Sequence, residues 1–145
     1  MAPKIVVVDA NILISAYGFD GEVRRYWRES LWGCRLVVSP EILIEVESRL
    51  RNSQFNLAGT EIKAILLDIL QRCELVRPNP ARDPGFKNSK DSHLAALAQF
   101  KLPGKASPEF LLTGDEALRQ ERKIGNCEIL GIGEFCNSGR HVPED

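Results

Sequence analysis

Residues 5 to 14 run Ile-Val-Val-Val-Asp-Ala-Asn-Ile-Leu-Ile, and they say more about the architecture than any other stretch of the chain. The run Ile5–Val8 consists of β-branched residues only. Such a run is typical of a strand that is buried on both faces, usually a central strand of a parallel sheet. Sites in open parallel sheets gather outside the carboxyl ends of the strands. Because Asp9 follows the run directly, the sequence predicts a carboxylate at that edge.

A second apolar run ends in the same way as the first. Phe110-Leu111-Leu112 predicts a strand, and Thr113-Gly114-Asp115 follows it at once. A second strand that ends in an aspartate indicates that Asp9 and Asp115 belong to one acidic constellation at the carboxyl ends of the strands.

The composition is that of an ordinary globular protein. The chain has 145 residues, of which 43% are hydrophobic and 27% are charged, and its formal net charge is −1. This net charge gives no general attraction to nucleic acid, although it leaves room for a local basic rim. No apolar run approaches the length of a membrane span, and the sequence shows no leading charged-then-apolar stretch with a cleavage site. A cytoplasmic protein without membrane association is therefore expected.

The four cysteines lie at positions 34, 73, 127 and 136, and no two of them form a Cys-x-x-Cys pair. Cys34, Cys73 and Cys127 each stand just before an apolar, strand-like segment. Small buried thiols are therefore favoured over zinc ligands or disulfide partners.

Strand-like and helix-like segments alternate along the chain. Ser39 and Pro40 predict one helix start, as N-cap residue and first-turn proline. The alternation is typical of an α/β fold with a mostly parallel sheet. A single domain is predicted over residues 1–138, followed by a polar tail over residues 139–145. The predicted strands are Ile5–Val8, Arg35–Val38, Glu74–Val76, Phe110–Leu112 and Glu128–Leu130.

Two further acids stand on predicted helices. Glu45 flanks the apolar stripe of the helix after Ser39, where an ion pair with Arg49 is its alternative role. Asp91 lies in the first turn of a helix, on the face that packs against the sheet, where capping is the alternative. Strand-end and capping roles are equally open for Asp9 and Asp115.

Taken together, the four acids indicate a metal site, which no single one of them indicates alone. They are Asp9, Glu45, Asp91 and Asp115. Carboxylates held close together raise each other's pKa, and a fold tolerates this mainly where a divalent cation neutralises them. Oxygen ligands suit Mg²⁺ or Mn²⁺. Such an ion can activate water and hold a phosphate oxygen, as phosphodiester hydrolysis requires.

Four motifs follow one another along the chain. They are Val8-Asp9-Ala10-Asn11-Ile12-Leu13-Ile14-Ser15, Ser39-Pro40-Glu41-Ile42-Leu43-Ile44-Glu45, Arg82-Asp83-Pro84 with Lys90-Asp91-Ser92-His93-Leu94, and Leu112-Thr113-Gly114-Asp115. In order and spacing, along nearly the whole chain, they resemble the PIN-domain family, and most of all its branch of toxin components of toxin–antitoxin systems (VapC-like). The resemblance implies a PIN-like three-layer α/β/α sandwich with a five-stranded parallel sheet, and an endoribonuclease that depends on Mg²⁺ or Mn²⁺.

The resemblance also assigns roles to individual residues. Asn11 and Thr113 match the family's supporting polar positions. The family usually has threonine at position 10 and commonly a further acid at position 117, where this chain has Ala10 and Ala117. These departures leave a second class of function open, a PIN-like module that binds RNA or a protein without cleaving. The metal-binding and catalytic acids fall at Asp9, Glu45, Asp91 and Asp115.

Two other chemistries fit the sequence less well. A phosphoryl-transfer site of the haloacid dehalogenase type needs a second aspartate where Asn11 stands. His93 lies off the face that carries Asp91, and the other histidine of the chain, His141, is in the tail. A histidine-dependent site is therefore disfavoured.

An RNA substrate requires basic residues around the acids. Arginines at positions 24, 25 and 28 are interleaved with Tyr26 and Trp27, and Trp27 is expected to pack inward. A solvated helix face is the alternative for this cluster. The predicted RNA-binding residues are Arg24, Arg25, Arg28, Lys87 and Lys90.

Two protein partners are also expected. Leu67 lies off the main apolar stripe of its helix, and the toxin-like family often pairs through its helical side, so a homodimer is predicted. The resemblance further implies an antitoxin protein as a candidate partner.

Overall fold

The computed structural model describes residues 2–78, 92–104 and 106–143. Over these ranges the chain forms seven α-helices, a short 3-10 helix (Ser53–Phe55) and one six-stranded sheet, so the predicted α/β class is confirmed. The strands are β1 (Ile5–Val8), β2 (Arg35–Val38), β3 (Cys73–Leu75), β4 (Phe110–Leu112), β5 (Lys123–Ile124) and β6 (Cys127–Leu130). The helices are α1 (Ala10–Gly18), α2 (Glu22–Glu29), α3 (Pro40–Leu50), α4 (Gly59–Arg72), α5 (Ser92–Ala98), α6 (Glu116–Gln120) and α7 (Ile132–Asn137).

The sheet has the strand order β3-β2-β1-β4-β6-β5. Neighbouring strands from β3 to β6 pair in parallel, whereas β5 pairs antiparallel with β6. The sheet is therefore mixed and six-stranded, where a five-stranded parallel sheet was expected. The additional strand arises from a tight hairpin, in which Gly125 turns the chain with a φ of 60°. Strand β5 has only two residues, which are too few to give a periodic pattern in the sequence.

The apolar run at the start of the chain forms the centre of this sheet. Val7 pairs with Val37 of β2 on one side and with Leu111 of β4 on the other. Val6 and Val8 are also fully buried. A strand with neighbours on both sides and packing on both faces accommodates β-branched residues at every position, so the predicted central strand is confirmed.

Helix α3 begins where the sequence predicts it. The Ser39 hydroxyl accepts a hydrogen bond from the Ile42 amide at 3.3 Å, and Pro40 occupies the first turn. This contact satisfies one of the amides that a helix start leaves without a partner. The apolar stripe of α3 then buries Ile42, Val46 and Leu50.

The cysteines are free thiols, as the sequence predicts. Cys34 is half-buried and the other three are buried. Burial raises the pKa of Cys73 and of Cys127 to about 12, which keeps both thiols protonated at neutral pH.

Both tryptophans pack against one guanidinium where α2 and α4 meet. The Arg72 guanidinium lies 4.0 Å from the ring centre of Trp27 and 4.4 Å from that of Trp32. It also donates to the Trp27 carbonyl at 2.7 Å. Trp27 is buried, as predicted, whereas Trp32 is 69% exposed. The stack ties the end of α4 to α2 through cation–π contacts.

The described part of the tail lies against the body of the protein. Arg140 forms an ion pair with Glu128 of β6, and the His141 ring packs on Phe135. The Cys34 thiol donates to the His141 carbonyl at 3.5 Å. No helix among the described residues is long and apolar enough to cross a membrane.

Candidate functional site

The candidate site lies at the point where the strand order of the sheet reverses. From β1 the chain continues to β2 on one side, and from β4 it continues to β6 on the other. The crevice between two such strands, at their carboxyl ends, is where open α/β sheets bind ligands. Asp9 follows β1 and Thr113 follows β4, so the two residues face each other across this point.

Asp9 is held by both its backbone and its side chain. Its amide donates to the Leu112 carbonyl at 2.9 Å, which continues the β1–β4 pairing. Its Oδ1 accepts from the Ala10 amide at 2.7 Å at the start of α1. The residue is only 7% exposed. The capping role that the sequence left open for Asp9 is therefore real, and it fixes the carboxylate at the carboxyl edge.

Thr113 and Asn11 complete a network around the Asp9 carboxylate. The buried Thr113 hydroxyl donates to Asp9 Oδ2 at 2.8 Å. Asn11 Nδ2 points at the same Oδ2 at 3.4 Å and at Thr113 Oγ1 at 3.3 Å. The Gly114 amide then donates to Asn11 Oδ1 at 2.7 Å. This chain of bonds locks the side chains after β1 against the backbone after β4.

Asp115 joins the network through its backbone and caps α6 with its side chain. Its amide donates to Thr113 Oγ1 at 3.1 Å. Its Oδ1 accepts from the amides of Ala117 at 2.9 Å and Leu118 at 3.2 Å. The capping interpretation thus holds for Asp115 as well, and its carboxylate lies half-exposed at the same edge of the sheet.

The electrostatics of Asp9 set it apart from an ordinary surface acid. Removal from water raises its pKa above the usual 3.8. The hydrogen bonds from Thr113 and from the Ala10 amide oppose this rise, because they favour the ionised form. The charge of Glu45 raises the pKa further, and the charge of His93 lowers it. Asp9 thus carries a desolvated carboxylate that a nearby cation would stabilise.

Two further side chains, those of Glu45 and His93, act on Asp9 through their charges. Glu45 is exposed on α3, yet its charge acts on Asp9, and it forms no ion pair with Arg49 among the described residues. His93, at the start of α5, also acts on Asp9. Its Nδ1 is buried without a hydrogen-bond partner among those residues. His93 was disfavoured as a site residue from the sequence alone, although its position two residues after Asp91 indicated that it could lie near the acids.

Asp91, Lys87 and Lys90 lie outside the described residues. On the described part of the chain, no three His, Cys, Asp or Glu side chains form a group that could hold a metal ion. Asp9 and Asp115 stand at the carboxyl edge of the sheet, the charge of Glu45 acts on Asp9, and all three offer oxygen donors of the kind that Mg²⁺ and Mn²⁺ prefer. The residues therefore fit such an ion in kind, and a complete ligand set depends on Asp91.

The predicted arginine rim on α2 is partly engaged within the fold. Arg24 donates to the carbonyls of Ala16 at 2.9 Å and Tyr17 at 3.1 Å, in the last turn of α1. Arg25 pairs with Glu22 at 3.4 Å. Arg28 is exposed. Arg24 thus closes a helix end, and Arg28 is the member of the cluster with the most freedom to meet a ligand.

The sequence matches no protein-family model, and no curated protein matches it. The assignment of a function therefore depends on the residues and geometry described above.

Proposed function

We propose that this chain is a metal-dependent endoribonuclease of the PIN type that hydrolyses RNA phosphodiester bonds. One observation carries the proposal. A buried, desolvated carboxylate, Asp9, stands at the reversal point of the sheet and is oriented by Thr113 and Asn11. A carboxylate that only capped α1 would have no need to be buried, or to lie within reach of the charge of a further acid, Glu45, that opposes its ionisation.

The acids would bind the metal ion, and two polar side chains would orient one of them. Asp9, Glu45, Asp91 and Asp115 would hold Mg²⁺ or Mn²⁺ and serve as the catalytic acids. When bound, the ion would neutralise the acids and polarise the phosphate. Thr113 and Asn11 keep the Asp9 carboxylate in one orientation, which reduces the reorganisation needed on substrate binding. The low exposure of Asp9 strengthens its attraction for a cation, since few water dipoles screen it.

The proposal includes the PIN-like three-layer sandwich. Its support is the parallel pairing of β3, β2, β1, β4 and β6, which would form the five-stranded core of that fold. The β5 strand would then be an addition at the edge.

The proposed partners follow from the same family likeness. They are an RNA substrate, an antitoxin protein and a second copy of this chain, all in the cytoplasm. Exposed leucines on α4 support the homodimer, since Leu67 is 53% and Leu70 is 40% exposed. Residues three apart on a helix lie on one face, so these two leucines form a common apolar surface.

The decisive experiment is cleavage of labelled RNA with Mn²⁺ and with chelator. We expect cleavage by the wild type with Mn²⁺ only, and none by Asp9→Asn. Asp20→Asn is the matched control, because it makes the same chemical change at a side chain that is 94% exposed. RNA binding without cleavage under any metal would replace this proposal with the binding-module alternative. Equal cleavage by the wild type and Asp9→Asn would remove Asp9 from the site.

A further inference from the structure

A cavity of about 460 Å³ lies between α6, the β5–β6 hairpin and α7. This volume falls within the range of roughly 300–1,000 Å³ that is usual for ligand sites. The charged part of its lining consists of three arginines and two glutamates: Arg119, Arg122, Arg140, Glu128 and Glu134.

The charges of the lining are unevenly paired. Arg140 donates to both carboxylate oxygens of Glu128, at 3.2 Å each, so these two residues neutralise each other. Arg119 and Arg122 are exposed, and no side-chain hydrogen bond or ion pair joins either of them to a described residue. Within the described part of the chain, two guanidiniums therefore remain against one carboxylate, that of Glu134. The unpaired side of the cavity favours an anion.

One residue of the cavity lining, Arg119, reaches the edge of the sheet that carries the candidate site. Arg119 is on α6, which Asp115 caps, and its guanidinium lies beside Gly131 at the carboxyl end of β6. A Cβ on Gly131 would stand 3.3 Å from Arg119 Nη1 and 4.0 Å from the Thr113 carbonyl. The Arg119 guanidinium therefore lies at the carboxyl end of β6, the same edge of the sheet at which Asp9 follows β1 and Thr113 follows β4.

We propose that Arg119 and Arg122 bind a backbone phosphate of the RNA substrate. This inference rests on the proposed ribonuclease function. Planar guanidiniums bind phosphate oxygens through paired hydrogen bonds, and each contact with RNA adds sequence-independent affinity. The subsite supplies the attraction that the acids lack and that Arg24, engaged at the end of α1, does not give.

The test measures binding separately from cleavage. Asp9→Asn protein keeps the RNA intact, and the probe is a short, fluorescein-labelled oligouridylate whose affinity is measured over a series of salt concentrations. In this background, the double change Arg119→Ala and Arg122→Ala should weaken binding about tenfold and flatten the slope of log K against log salt by roughly one unit. Glu134→Gln should tighten binding, because it removes the opposing carboxylate.

Two matched pairs serve as controls. Arg51→Ala with Lys63→Ala removes the same number of positive charges from exposed positions, one just after α3 and one on α4. Arg25→Ala with Arg28→Ala tests the basic cluster on α2. Both alanine substitutions in the cavity keep the Cβ atom, so the left-handed backbone at Arg122, with a φ of 65°, is strained to the same extent. Circular dichroism checks that each variant folds.

We call the double variant Arg119→Ala with Arg122→Ala the cavity pair. The proposed subsite is refuted if the cavity pair changes affinity and salt slope no more than the Arg51 and Lys63 pair does. A loss confined to the Arg25 and Arg28 pair would likewise overturn it and place the RNA on α2. The ribonuclease proposal has a separate readout, which is cleavage by the wild type. Cleavage with an unchanged salt slope in the cavity pair refutes the subsite alone, whereas a flattened slope without wild-type cleavage supports the subsite and refutes the nuclease.

Discussion

Asp9 illustrates how far one residue can depart from its ordinary chemistry within this fold. Burial raises its pKa above 3.8, while the Thr113 hydroxyl and the Ala10 amide limit the rise. Between 3.8 and the raised value, the folded chain binds more protons at this position than the unfolded chain does. The contribution of Asp9 to the free energy of unfolding therefore decreases as pH rises through that window, and the decrease is complete above it.

We predict that Asp9→Asn, in the absence of divalent metal, gains stability relative to the wild type as pH rises. The asparagine cannot ionise, so the variant escapes the decrease that the wild type undergoes. Urea unfolding at about pH 4 and about pH 7, with chelator present, measures the difference. A wild-type advantage that grows toward pH 7 would contradict the prediction.

We predict that Thr113→Val destabilises the protein by about 1–3 kcal/mol at neutral pH. Valine keeps the shape of threonine, but it leaves the buried Asp9 Oδ2 without its 2.8 Å donor. Thr113→Ser is the matched control, because it keeps the hydroxyl. The stability of the valine variant should also decrease more steeply with pH than that of the serine variant, since loss of the hydroxyl raises the pKa of Asp9. Equal pH profiles for the two variants would show that this hydrogen bond is unimportant.

The sequence predicts individual residues best where the signal is local. Asp9 and Asp115 could be found because each directly follows an apolar run. The contact between Asp9 and Thr113 depends on β1 lying next to β4, which are separated by about a hundred residues of chain. The influence of His93 on Asp9 and the position of Arg119 beside Gly131 likewise depend on which elements pack together. No local pattern contains that information.

At the scale of elements, the glycine that ends α1 and the glycine that begins α4 differ in the space available for a side chain. A Cβ on Gly18, the last residue of α1, would lie 2.5 Å from Cε1 and 2.8 Å from Cδ1 of Phe55. That ring is packed edge-on against Phe19. At Gly59, the first residue of α4, a Cβ would meet no atom within 4 Å.

We predict that Gly18→Ala and Gly59→Ala change stability in opposite directions. The first should destabilise the protein by about 1–3 kcal/mol through overpacking. The second should stabilise it by about 0.4–1 kcal/mol, because alanine restricts the unfolded chain. Urea unfolding of both variants provides the comparison. Adding Phe55→Leu to Gly18→Ala should recover part of the loss; a strictly additive double variant would show that the ring is not the obstacle.

Elements were predictable to the extent that their patterns were long or strongly marked. The runs Ile5–Val8, Arg35–Val38 and Phe110–Leu112 are strands with the predicted bounds. The third predicted strand is shifted by one residue, to Cys73–Leu75. Strand β5 escaped prediction because its two residues, one of them an exposed lysine, derive their conformation from pairing with β6.

At the scale of the whole molecule, a bound ion should stabilise the fold. A ligand that binds only the folded state at a hundred times its Kd adds about 2.7 kcal/mol, which for a chain of this size raises Tm by several degrees. We predict such a rise with Mn²⁺, measured by differential scanning calorimetry. Asp9→Asn should reduce it, and Asp20→Asn should not. An unchanged Tm for the wild type at saturating Mn²⁺ would contradict the metal site.

We also predict a homodimer in solution, with a sedimentation mass of about twice the 16.2 kDa of one chain. The surface expected to pair contains Leu67 and Leu70 of α4. Leu67→Lys should shift the protein toward the mass of one chain. Val142→Lys is the control, since Val142 is a similarly exposed apolar residue in the tail. A wild-type mass of one chain at tens of micromolar would refute the dimer.

The stack of Trp27, Arg72 and Trp32 determines what the protein's fluorescence can report. These two tryptophans are the only ones in the chain, and both contact the same guanidinium. Arg72 directly precedes β3, and Trp32 lies shortly before β2, so the stack is at the amino ends of the strands. The candidate site is at the carboxyl ends. Intrinsic emission is therefore a probe of the docking of α4 on α2, and it should record unfolding while remaining nearly silent to ligands bound near Asp9.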